Sequence, residues 1–305
     1  MTQQILTDYE QRLSAEGRKW GNHLAIEASQ ELTGWLDHPS IHAHYGSRCL
    51  IDETPWRLWV QTQFGGPAQR SMELGCGSAS LSTLLHRIGS TREVEGVDIS
   101  AERVAQAELK RVEVGASGHF RVEDANRVVL EPGRYDLIVS SHSFHHFLEL
   151  ERVMSQVVDA LTPRGLFILE EYVGPTQFQW TDAQMALTKG LLSTLPPRYR
   201  RLKWDAVKTE EGKPTPEAVV AESPFESIRS AEIGPLFERY FEVVHLRNAG
   251  GTIQHLLYNG IMHNFQPTDP EAEALVRGIW ETEDALIDSG RIPSDFQILV
   301  GRRPR

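Results

Sequence analysis

The sequence predicts an α/β fold in which helices cover both faces of a mostly parallel sheet. Short apolar runs of strand length recur along the chain, and helix-compatible segments separate most of them. Such alternation is typical of βαβ units. A glycine-containing turn directly after the first run supports the same interpretation. Seven strands are predicted, over residues 71–74, 94–97, 120–124, 135–140, 166–171, 241–246 and 296–300.

The turn after the first predicted strand has the composition of a ligand-binding loop. The strand ends in Glu73-Leu74 and continues into Gly75-Cys76-Gly77, followed by a helix-compatible run. Glycine permits positive φ and lets a ligand lie against bare backbone, and the start of a helix offers unpaired N–H groups. Asp98 ends the next apolar run, at about the 20-residue spacing that brings a carboxylate to ribose hydroxyls. The pattern predicts an adenosine-containing cofactor.

The charges near this turn favour S-adenosylmethionine as that cofactor. A dinucleotide-binding turn has a third glycine, but Ser80 stands at that position. Glu73 would repel a diphosphate and attract a sulfonium or ammonium group. Two alternatives of other classes stay open at this point, an NAD-dependent oxidoreductase and a non-catalytic module that binds the cofactor.

Further motifs follow in order along the chain: Asp124 after the third predicted strand, Ser140 to Phe147 after the fourth, and Thr162-Pro163-Arg164-Gly165 before the fifth. With the glycine turn, they resemble the class I S-adenosylmethionine-dependent methyltransferase family over about residues 68–175. The resemblance implies a Rossmann-like core whose seven-stranded sheet is mostly parallel with an antiparallel last strand. A finer similarity is to bacterial small-molecule methyltransferases that have a helical lid, some of them in natural-product or glycan pathways.

The resemblance also implies roles for individual residues. Glu73, Gly75, Cys76 and Gly77 would border the methionine part of the cofactor, Asp98 would hold the ribose hydroxyls, Ile99 would lie against the adenine, Asp124 and Ala125 would bind the adenine edge, and Ser140 would lie under the methionine amino group. Ala79 stands where many members of the family have a further glycine.

Composition narrows the class of protein. The 305 residues carry 31 Lys and Arg against 42 Asp and Glu, a formal net charge of −11, which argues against a nucleic-acid substrate. The 2 cysteines, Cys49 and Cys76, cannot form a disulfide framework and indicate a reducing compartment. We expect no signal peptide, no membrane span and a cytoplasmic location. The oligomeric state stays open, with a homodimer as one option.

We expect four segments: an N-terminal helical cap (1–67), the cofactor-binding core (68–175), an inserted helical lid (176–240), and the end of the core with two strands and a helix (241–305). Helices are predicted over 2–16, 23–36, 55–63, 148–161, 181–194, 227–240 and 269–290 from caps, prolines and glycines. His38-Pro39 is predicted to break the chain into a loop.

The catalytic candidates follow the fourth and fifth predicted strands, where ligand sites of open α/β sheets lie. His145 and His146 are expected to begin a helix, and either could serve as a base near neutral pH. Glu170 and Glu171 end the fifth strand. The alternative for each is structural: a helix cap or lid packing for the histidines, and solvation of a strand end for the glutamates.

His38, His42 and His44 suggest a metal site, but no cysteine pair or acidic triad accompanies them. We therefore expect no metal. The predicted function is methyl transfer from S-adenosylmethionine to a small molecule. Oxygen is favoured as the attacked atom because histidine and glutamate bases are available, and N-methylation of an amine or heterocycle is the alternative. Neither a nucleic acid nor a membrane is expected as a partner.

Overall fold

The computed structural model describes residues 3–29, 31–204 and 206–304. Its strands are β1 (Leu50–Ile51), β2 (Thr54–Pro55), β3 (Ala68–Leu74), β4 (Thr91–Asp98), β5 (Ser117–Val122), β6 (Tyr135–Ser141), β7 (Leu161–Tyr172), β8 (Glu242–Gly250) and β9 (Phe296–Arg302). Within the described residues, β1 and β2 form a hairpin and the other 7 strands form one sheet. Each predicted strand overlaps its counterpart, so the seven-stranded sheet is confirmed.

The strand order in the sheet is β5-β4-β3-β6-β7-β9-β8. The strands from β5 to β7 pair in parallel, whereas β9 runs antiparallel to both β7 and β8. The predicted antiparallel last strand is therefore confirmed. Because β4 lies on one side of β3 and β6 on the other, the connections diverge at the carboxyl end of β3. Such a point leaves a crevice in which ligands of open α/β sheets bind.

The helices are α1 (Gln3–Ser29), α2 (Pro39–Arg48), α3 (Trp56–Phe64), α4 (Ser80–Arg87), α5 (Ala101–Glu113), α6 (Leu150–Ala160), α7 (Asp182–Thr194), α8 (Pro216–Glu222), α9 (Ile233–Tyr240), α10 (Gln254–Tyr258) and α11 (Pro270–Asp288). Short 3₁₀ turns cover Trp35–Asp37, Phe144–His146, Thr176–Phe178, Pro197–Arg200, Ser230–Glu232 and Met262–Asn264. Among the helices of the described ranges, each is too short or too polar to cross a bilayer.

The N-terminal region differs from the prediction of two helices. One helix, α1, covers the chain from Gln3 to Ser29, and the predicted start at residue 2 lies outside the described residues. Two glycines allow α1 to pack closely on the core: a Cβ on Gly17 would lie 3.1 Å from the Ile99 carbonyl oxygen, and one on Gly21 would lie 2.8 Å from Glu102 Oε2. These glycines therefore permit close contact instead of ending the helix.

The predicted loop after His38 is also wrong. His38 is the N-cap of α2, and Pro39 takes the first helical position, where its missing N–H has no intrahelical partner to lose. His42 and His44 therefore lie on a helix.

The other predicted helices are confirmed with small shifts of their ends. Thr181 and Gln184 form the predicted capping box of α7: Thr181 Oγ1 accepts from Gln184 N at 3.2 Å, and Thr181 N donates to Gln184 Oε1 at 3.1 Å. Asp269 caps α11 and Gly290 follows it with φ of 70°. The predicted 227–240 helix is shorter, since only the turn at Ser230–Glu232 and α9 are helical.

The core has an apolar layer on each face of the sheet because side chains alternate along each strand. Leu166 and Ile168 of β7 pack toward one layer, which includes residues of α2, α3 and α11. Phe167 and Leu169 pack toward the other layer, which includes residues of α6 and α9. Burial on both faces fixes the register, so the loops at the carboxyl edge start from defined positions.

A glycine on the edge strand β5 offers a test of this register. Gly118 has φ of +105°, and a Cβ there would lie 1.9 Å from the Val94 carbonyl oxygen of β4. We expect Gly118→Ala to lower the free energy of unfolding by roughly 2–5 kcal/mol, through backbone strain and overpacking. The measurement is urea denaturation followed by circular dichroism.

The matched control is Gly278→Ala on the exposed face of α11, where an added Cβ meets no atom within 4 Å. That variant should be as stable as the parent chain or more stable by up to about 1 kcal/mol. Equal stability of the two alanine variants would contradict the register of β5 on β4.

Candidate functional site

A cavity of about 490 Å³ lies at the carboxyl ends of β3, β4, β5 and β6. The predicted cofactor residues that line it are Glu73, Gly75, Cys76, Gly77, Asp98, Ile99, Asp124 and Ala125. The lining residues that sequence analysis did not assign to the site include Leu13, Glu16 and Trp20 of α1, together with Arg103, Asn126, Ser143 and Phe225. The cavity occupies the crevice that the strand order creates beside β3.

The turn after β3 is left-handed at three alternate positions. Gly75, Gly77 and Ala79 have φ of 69°, 50° and 56°. A Cβ on Gly75 would lie 2.5 Å from Ser143 Oγ, and one on Gly77 would lie 3.0 Å from Arg103 Nη1. The two glycines therefore serve both backbone conformation and close approach, and Ala79 occupies a position where glycine would fit without strain.

Glu73 is buried at the end of β3 and is bound to the start of α4. It accepts from Ser82 N at 3.1 Å and from Ser82 Oγ at 2.5 Å. Burial raises the pKa of the Glu73 carboxyl to about 7, although the bonds from Ser82 oppose this. The group is therefore poised to change charge near neutral pH.

Asp98 joins the two turns that border the cavity. Its Oδ2 accepts from Gly77 N at 2.8 Å, and its Oδ1 accepts from Ser100 N at 2.9 Å. Burial raises the pKa of Asp98, with both backbone bonds acting in the opposite direction. Each carboxylate oxygen has a second lone pair for a further donor.

Asp124 connects the third loop to the helix above it. Its Oδ2 accepts from Tyr9 of α1 at 2.7 Å, and its Oδ1 accepts from Asn126 N at 2.9 Å. Burial and Asp124 together raise the pKa of Tyr9, which keeps this phenol protonated. The contact fixes α1 across the mouth of the cavity.

Ser140 lies beneath the cavity and does not line it. Its Oγ donates to the Leu74 carbonyl oxygen at 2.8 Å and lies 2.8 Å from Ser143 Oγ. The cavity is lined instead by the residues that follow Ser140, namely Ser141 at the end of β6 and His142 and Ser143 in the turn. Ser140 therefore links β6 to β3 through its hydrogen bond to Leu74.

Glu170 is a fixed anion behind the site and does not line the cavity. It accepts from Trp56 Nε1 at 3.0 Å and from Arg57 Nη2 at 2.6 Å. Burial raises the pKa of this carboxyl, but Arg57 and His142 lower it more, to about 2. A carboxylate this acidic and this well paired is unsuited to take a proton.

Glu171 also lies behind the cavity, where it holds the turn after β6. It accepts from the backbone N–H groups of Ser143, Phe144 and Tyr172 at 2.9, 2.6 and 2.7 Å. His145 Nδ1 contacts it at 2.5 Å. Its oxygens are thus occupied by protein donors, so its role in the structure is positioning.

His145 and His146 lie on the 3₁₀ turn Phe144–His146, and α6 begins only at Leu150. The prediction that they begin a helix is therefore wrong. Burial lowers the pKa of His145, but Glu171 and Glu226 raise it more, to about 10. Beside these two carboxylates the side chain is therefore mainly protonated at neutral pH, which makes it a poor base.

His146 is the catalytic candidate that lines the cavity. Its Nδ1 lies 3.1 Å from Glu16 Oε1, and its ring meets Trp20 edge-on at 5.3 Å. Both ring nitrogens are buried without hydrogen-bond geometry to a partner in the described part of the chain. Glu16 therefore lies beside Nδ1, and Nε2 is the ring nitrogen that stays open toward Glu226 at 3.9 Å.

The helix α1 supplies a part of the site that sequence analysis missed. Glu16 is buried and accepts from Trp20 Nε1 at 2.7 Å, Ser223 Oγ at 2.7 Å and Phe225 N at 3.3 Å. Glu16 therefore joins α1 to the segment 223–226 above the cavity. The spacing of an acid and a tryptophan one helical turn apart was the available signal.

An aromatic cluster adjoins the turn that carries the histidines. Its members are Tyr172, Phe178, Trp180, His255 and Phe296, with ring centroids 5.3–6.1 Å apart. Trp180 Nε1 and His255 Nδ1 are buried and lack a hydrogen-bond partner in the described ranges. Burial lowers the pKa of His255 to about 4, so this ring is neutral.

The three histidines first considered as metal ligands do not converge. His38 lies 3.8 Å from Glu273, and His44 lies 2.9 Å from Asp284 and stacks on Trp280, while His42 is exposed on α2. Among the described residues, the group with metal-ligand spacing is His145, His146 and Glu226, whose ligand atoms lie within 4.8 Å of one another.

The strand order and the cavity agree with the resemblance to class I S-adenosylmethionine-dependent methyltransferases. Residues 72–169 match the family model described as a methyltransferase domain. The match to a methyltransferase domain favours S-adenosylmethionine over the dinucleotide alternative. Every strand-end acid that lines the cavity falls within the matched residues.

Curated relatives include the ubiquinone biosynthesis O-methyltransferases of Burkholderia thailandensis and Burkholderia pseudomallei. Each is 27% identical over 118 residues, which is 38% of this chain and 50% of the relative. The chain thus spans about half the length of the curated relatives it matches. Among solved structures, an S-adenosylmethionine-dependent methyltransferase from Mesorhizobium loti is 18% identical, with a TM-score of 0.49 over 84% of this chain and 100% of that one.

The buried Glu73 carboxyl makes the stability of the chain depend on pH. Its pKa is higher in the folded chain than in the unfolded chain, so the folded state binds more protons between about pH 4.5 and 7. Its contribution to stability is therefore lost as pH rises through this window. We expect Glu73→Gln to reduce the loss of unfolding free energy between pH 5 and 8 by about 2–3 kcal/mol.

Urea denaturation at a series of pH values measures this effect. Glu217→Gln, which changes an exposed glutamate on α8, is the control and should retain the pH profile of the parent chain. A Glu73→Gln profile parallel to that of the parent would show that this carboxyl is not the source.

Proposed function

We propose that this protein transfers a methyl group from S-adenosylmethionine to a hydroxyl oxygen of a small molecule. The observation that carries the proposal is the cavity beside β3, where Glu73, Asp98 and Asp124 meet at the ends of three adjoining strands. The sulfonium of the bound cofactor supplies an electrophilic methyl group. The protein needs mainly to align donor and acceptor and to receive a proton.

The residues at the cavity fit the cofactor by charge and by shape. Bare backbone at Gly75 and Gly77 leaves room for the methionine part, and acidic side chains favour its cationic groups. Asp98 has free lone pairs for the ribose hydroxyls, and Ile99 offers an apolar surface for the adenine. Asp124 and Ala125 line the next part of the cavity, where we place the adenine edge.

Two features support an acceptor with an aromatic or other flat face and a hydroxyl group. The aromatic cluster combines rings with unpaired polar atoms on Trp180 and His255, and an acceptor would have to part these mostly buried rings to reach them. The aromatic cluster lies beside the 3₁₀ turn Phe144–His146 (the histidine turn), because the ring centroids of His145 and Tyr172 are 6.0 Å apart. The curated relatives are named O-methyltransferases, which supports oxygen as the attacked atom. We propose that His146 receives the hydroxyl proton.

We propose that α1 and the segment 223–226 act as a lid over the cofactor. Glu16 joins α1 to Ser223 and Phe225 of this segment, and Tyr9 joins α1 to Asp124 of the core. Exclusion of water by such a lid would protect the transfer. The four-segment division, the cytoplasmic location and the oligomeric state stay predictions.

Loss of the Asp98 carboxylate should weaken cofactor binding. We expect Asp98→Ala to bind S-adenosylhomocysteine about 10–100-fold more weakly in isothermal titration, because charge-assisted hydrogen bonds to the ribose are lost. Asp98→Asn keeps one acceptor oxygen and should lose less. Asp159→Ala, on the exposed face of α6, is the control and should bind as the parent chain does.

Thermal unfolding of each variant separates lost binding from a damaged fold. Equal affinity of Asp98→Ala and the parent would rule out the ribose assignment. NADH binding with tryptophan-sensitised fluorescence would instead favour a dinucleotide site. Tight cofactor binding without turnover of any acceptor would favour a non-catalytic module.

The attacked atom can be tested with paired acceptors. We expect methylated products by mass spectrometry from small phenols and not from the matching anilines. His146→Gln should lower kcat about 10²–10⁴-fold, the range for loss of general-base catalysis, with little change in cofactor affinity. His119→Gln, on the exposed face of β5, is the control. Preferential turnover of the anilines would contradict O-methylation.

A further inference from the structure

We propose that His145, His146 and Glu226 form a binding site for a divalent first-row transition-metal ion, of which Zn²⁺ is the natural probe. Two imidazoles and one carboxylate are a donor set that such ions accept. The existence of the site does not depend on methyl transfer, and its catalytic role rests on the proposed function. With the ion bound, His146 is a ligand, and the ion replaces a free His146 in the deprotonation step.

The separations of the three donors fit a shared ion better than direct hydrogen bonds. His145 Nε2 lies 3.5 Å from Glu226 Oε1, and His146 Nε2 lies 3.9 Å from Glu226 Oε2. Both distances exceed the usual hydrogen-bond range of about 2.7–3.2 Å. Ligands at about 2.0–2.1 Å from a tetrahedral Zn²⁺ lie about 3.3 Å apart, and the three donor atoms here lie within 4.8 Å of one another, so the donors would move closer together around an ion.

Each imidazole has a buried carboxylate behind it, on the side away from Glu226. His145 Nδ1 contacts Glu171 at 2.5 Å, and His146 Nδ1 faces Glu16 at 3.1 Å. Metal-binding histidines almost always have such a partner, which orients the ring and raises its basicity. Backbone N–H groups fix Glu171, and α1 and the segment 223–226 fix Glu16, so both rings direct Nε2 toward Glu226.

The local charge favours a cation. Three carboxylates, those of Glu16, Glu171 and Glu226, surround two imidazoles, and the side chains of His145, His146 and Glu226 are only 12%, 11% and 15% exposed. Buried charges require a partner or a metal. A divalent ion would neutralise part of this negative charge.

The site combines the core and the lid. The histidines follow β6 of the core, whereas Glu226 belongs to the segment that Glu16 joins to α1. An ion bound there would therefore hold the lid closed. His146 and the neighbouring Phe225 line the cofactor cavity, so an acceptor hydroxyl could reach an open coordination position. The ion, in place of a free His146, would then lower the pKa of that hydroxyl.

The test is metal binding by the full chain without an affinity tag, after removal of metals by dialysis against a chelator. Titration with Co²⁺ should produce visible absorption bands with one equivalent bound, and Zn²⁺ should displace them. Glu226→Gln and His146→Gln should weaken binding at least about tenfold, and Glu16→Gln about 10–100-fold through loss of the outer carboxylate. Glu217→Gln and His119→Gln, on exposed positions, should bind as the parent does.

Circular dichroism of the metal-free variants checks that each one folds. The proposal is overturned if Co²⁺ produces no bands, or if the site variants and the exposed controls bind it equally. Titration of the same metal-free samples with S-adenosylhomocysteine keeps the two proposals apart. Cofactor binding without metal binding would remove the metal site alone, and metal binding without cofactor binding would remove the proposed function alone.

Discussion

The position of β3 between β4 and β6 is the constraint on which the site depends. Parallel pairing aligns Leu74 with Val97 on one side and Glu73 with Val139 on the other. The chain runs from β3 toward β4 on one side and from β6 toward β7 on the other, so the two connections diverge. The turn at Gly75, the Asp98 loop and the histidine turn consequently border one crevice, although they are far apart in sequence.

Carboxylates with little exposure to water determine how α1 and the segment 223–226 pack on this core. A carboxylate removed from water must be matched by donors or cations, and each one here has them. Asp124 accepts from Tyr9 of α1, Glu16 accepts from Ser223 and Phe225, and Glu171 accepts from the turn after β6. Since the pairs of Asp124 and Glu16 join α1 to elements distant in sequence, these two groups specify the position of α1 as well as stabilise it.

The sequence was sufficient for features that depend on local patterns. The strands, the capping box at Thr181 and the turn at Gly75 each follow from periodicity or from backbone conformation, which neighbouring residues determine. The single long helix α1 could not be predicted from local patterns, because Gly17 and Gly21 lie against Ile99 and Glu102, which are distant in sequence. The sequence also predicts a helix start at His145 and His146, where the structure has the separate 3₁₀ turn Phe144–His146. Glu171, which is distant in sequence, holds this turn by accepting from Ser143 N and Phe144 N.

Side-chain contacts in the structure distinguish positioning residues from candidate catalytic residues, which sequence patterns alone do not separate. Glu170 and Glu171 are occupied by protein donors, and His145 is paired on its Nδ1 side. What remains uncommitted beside the cavity is the Nε2 side of both rings, with the Glu226 carboxylate opposite. In the proposed function, deprotonation of an acceptor hydroxyl would involve this cluster, either through a free imidazole or through an ion that the cluster holds. The two routes differ in one physical respect: an ion requires the lid residue Glu226 to stay in place, whereas a free His146 requires only its own turn.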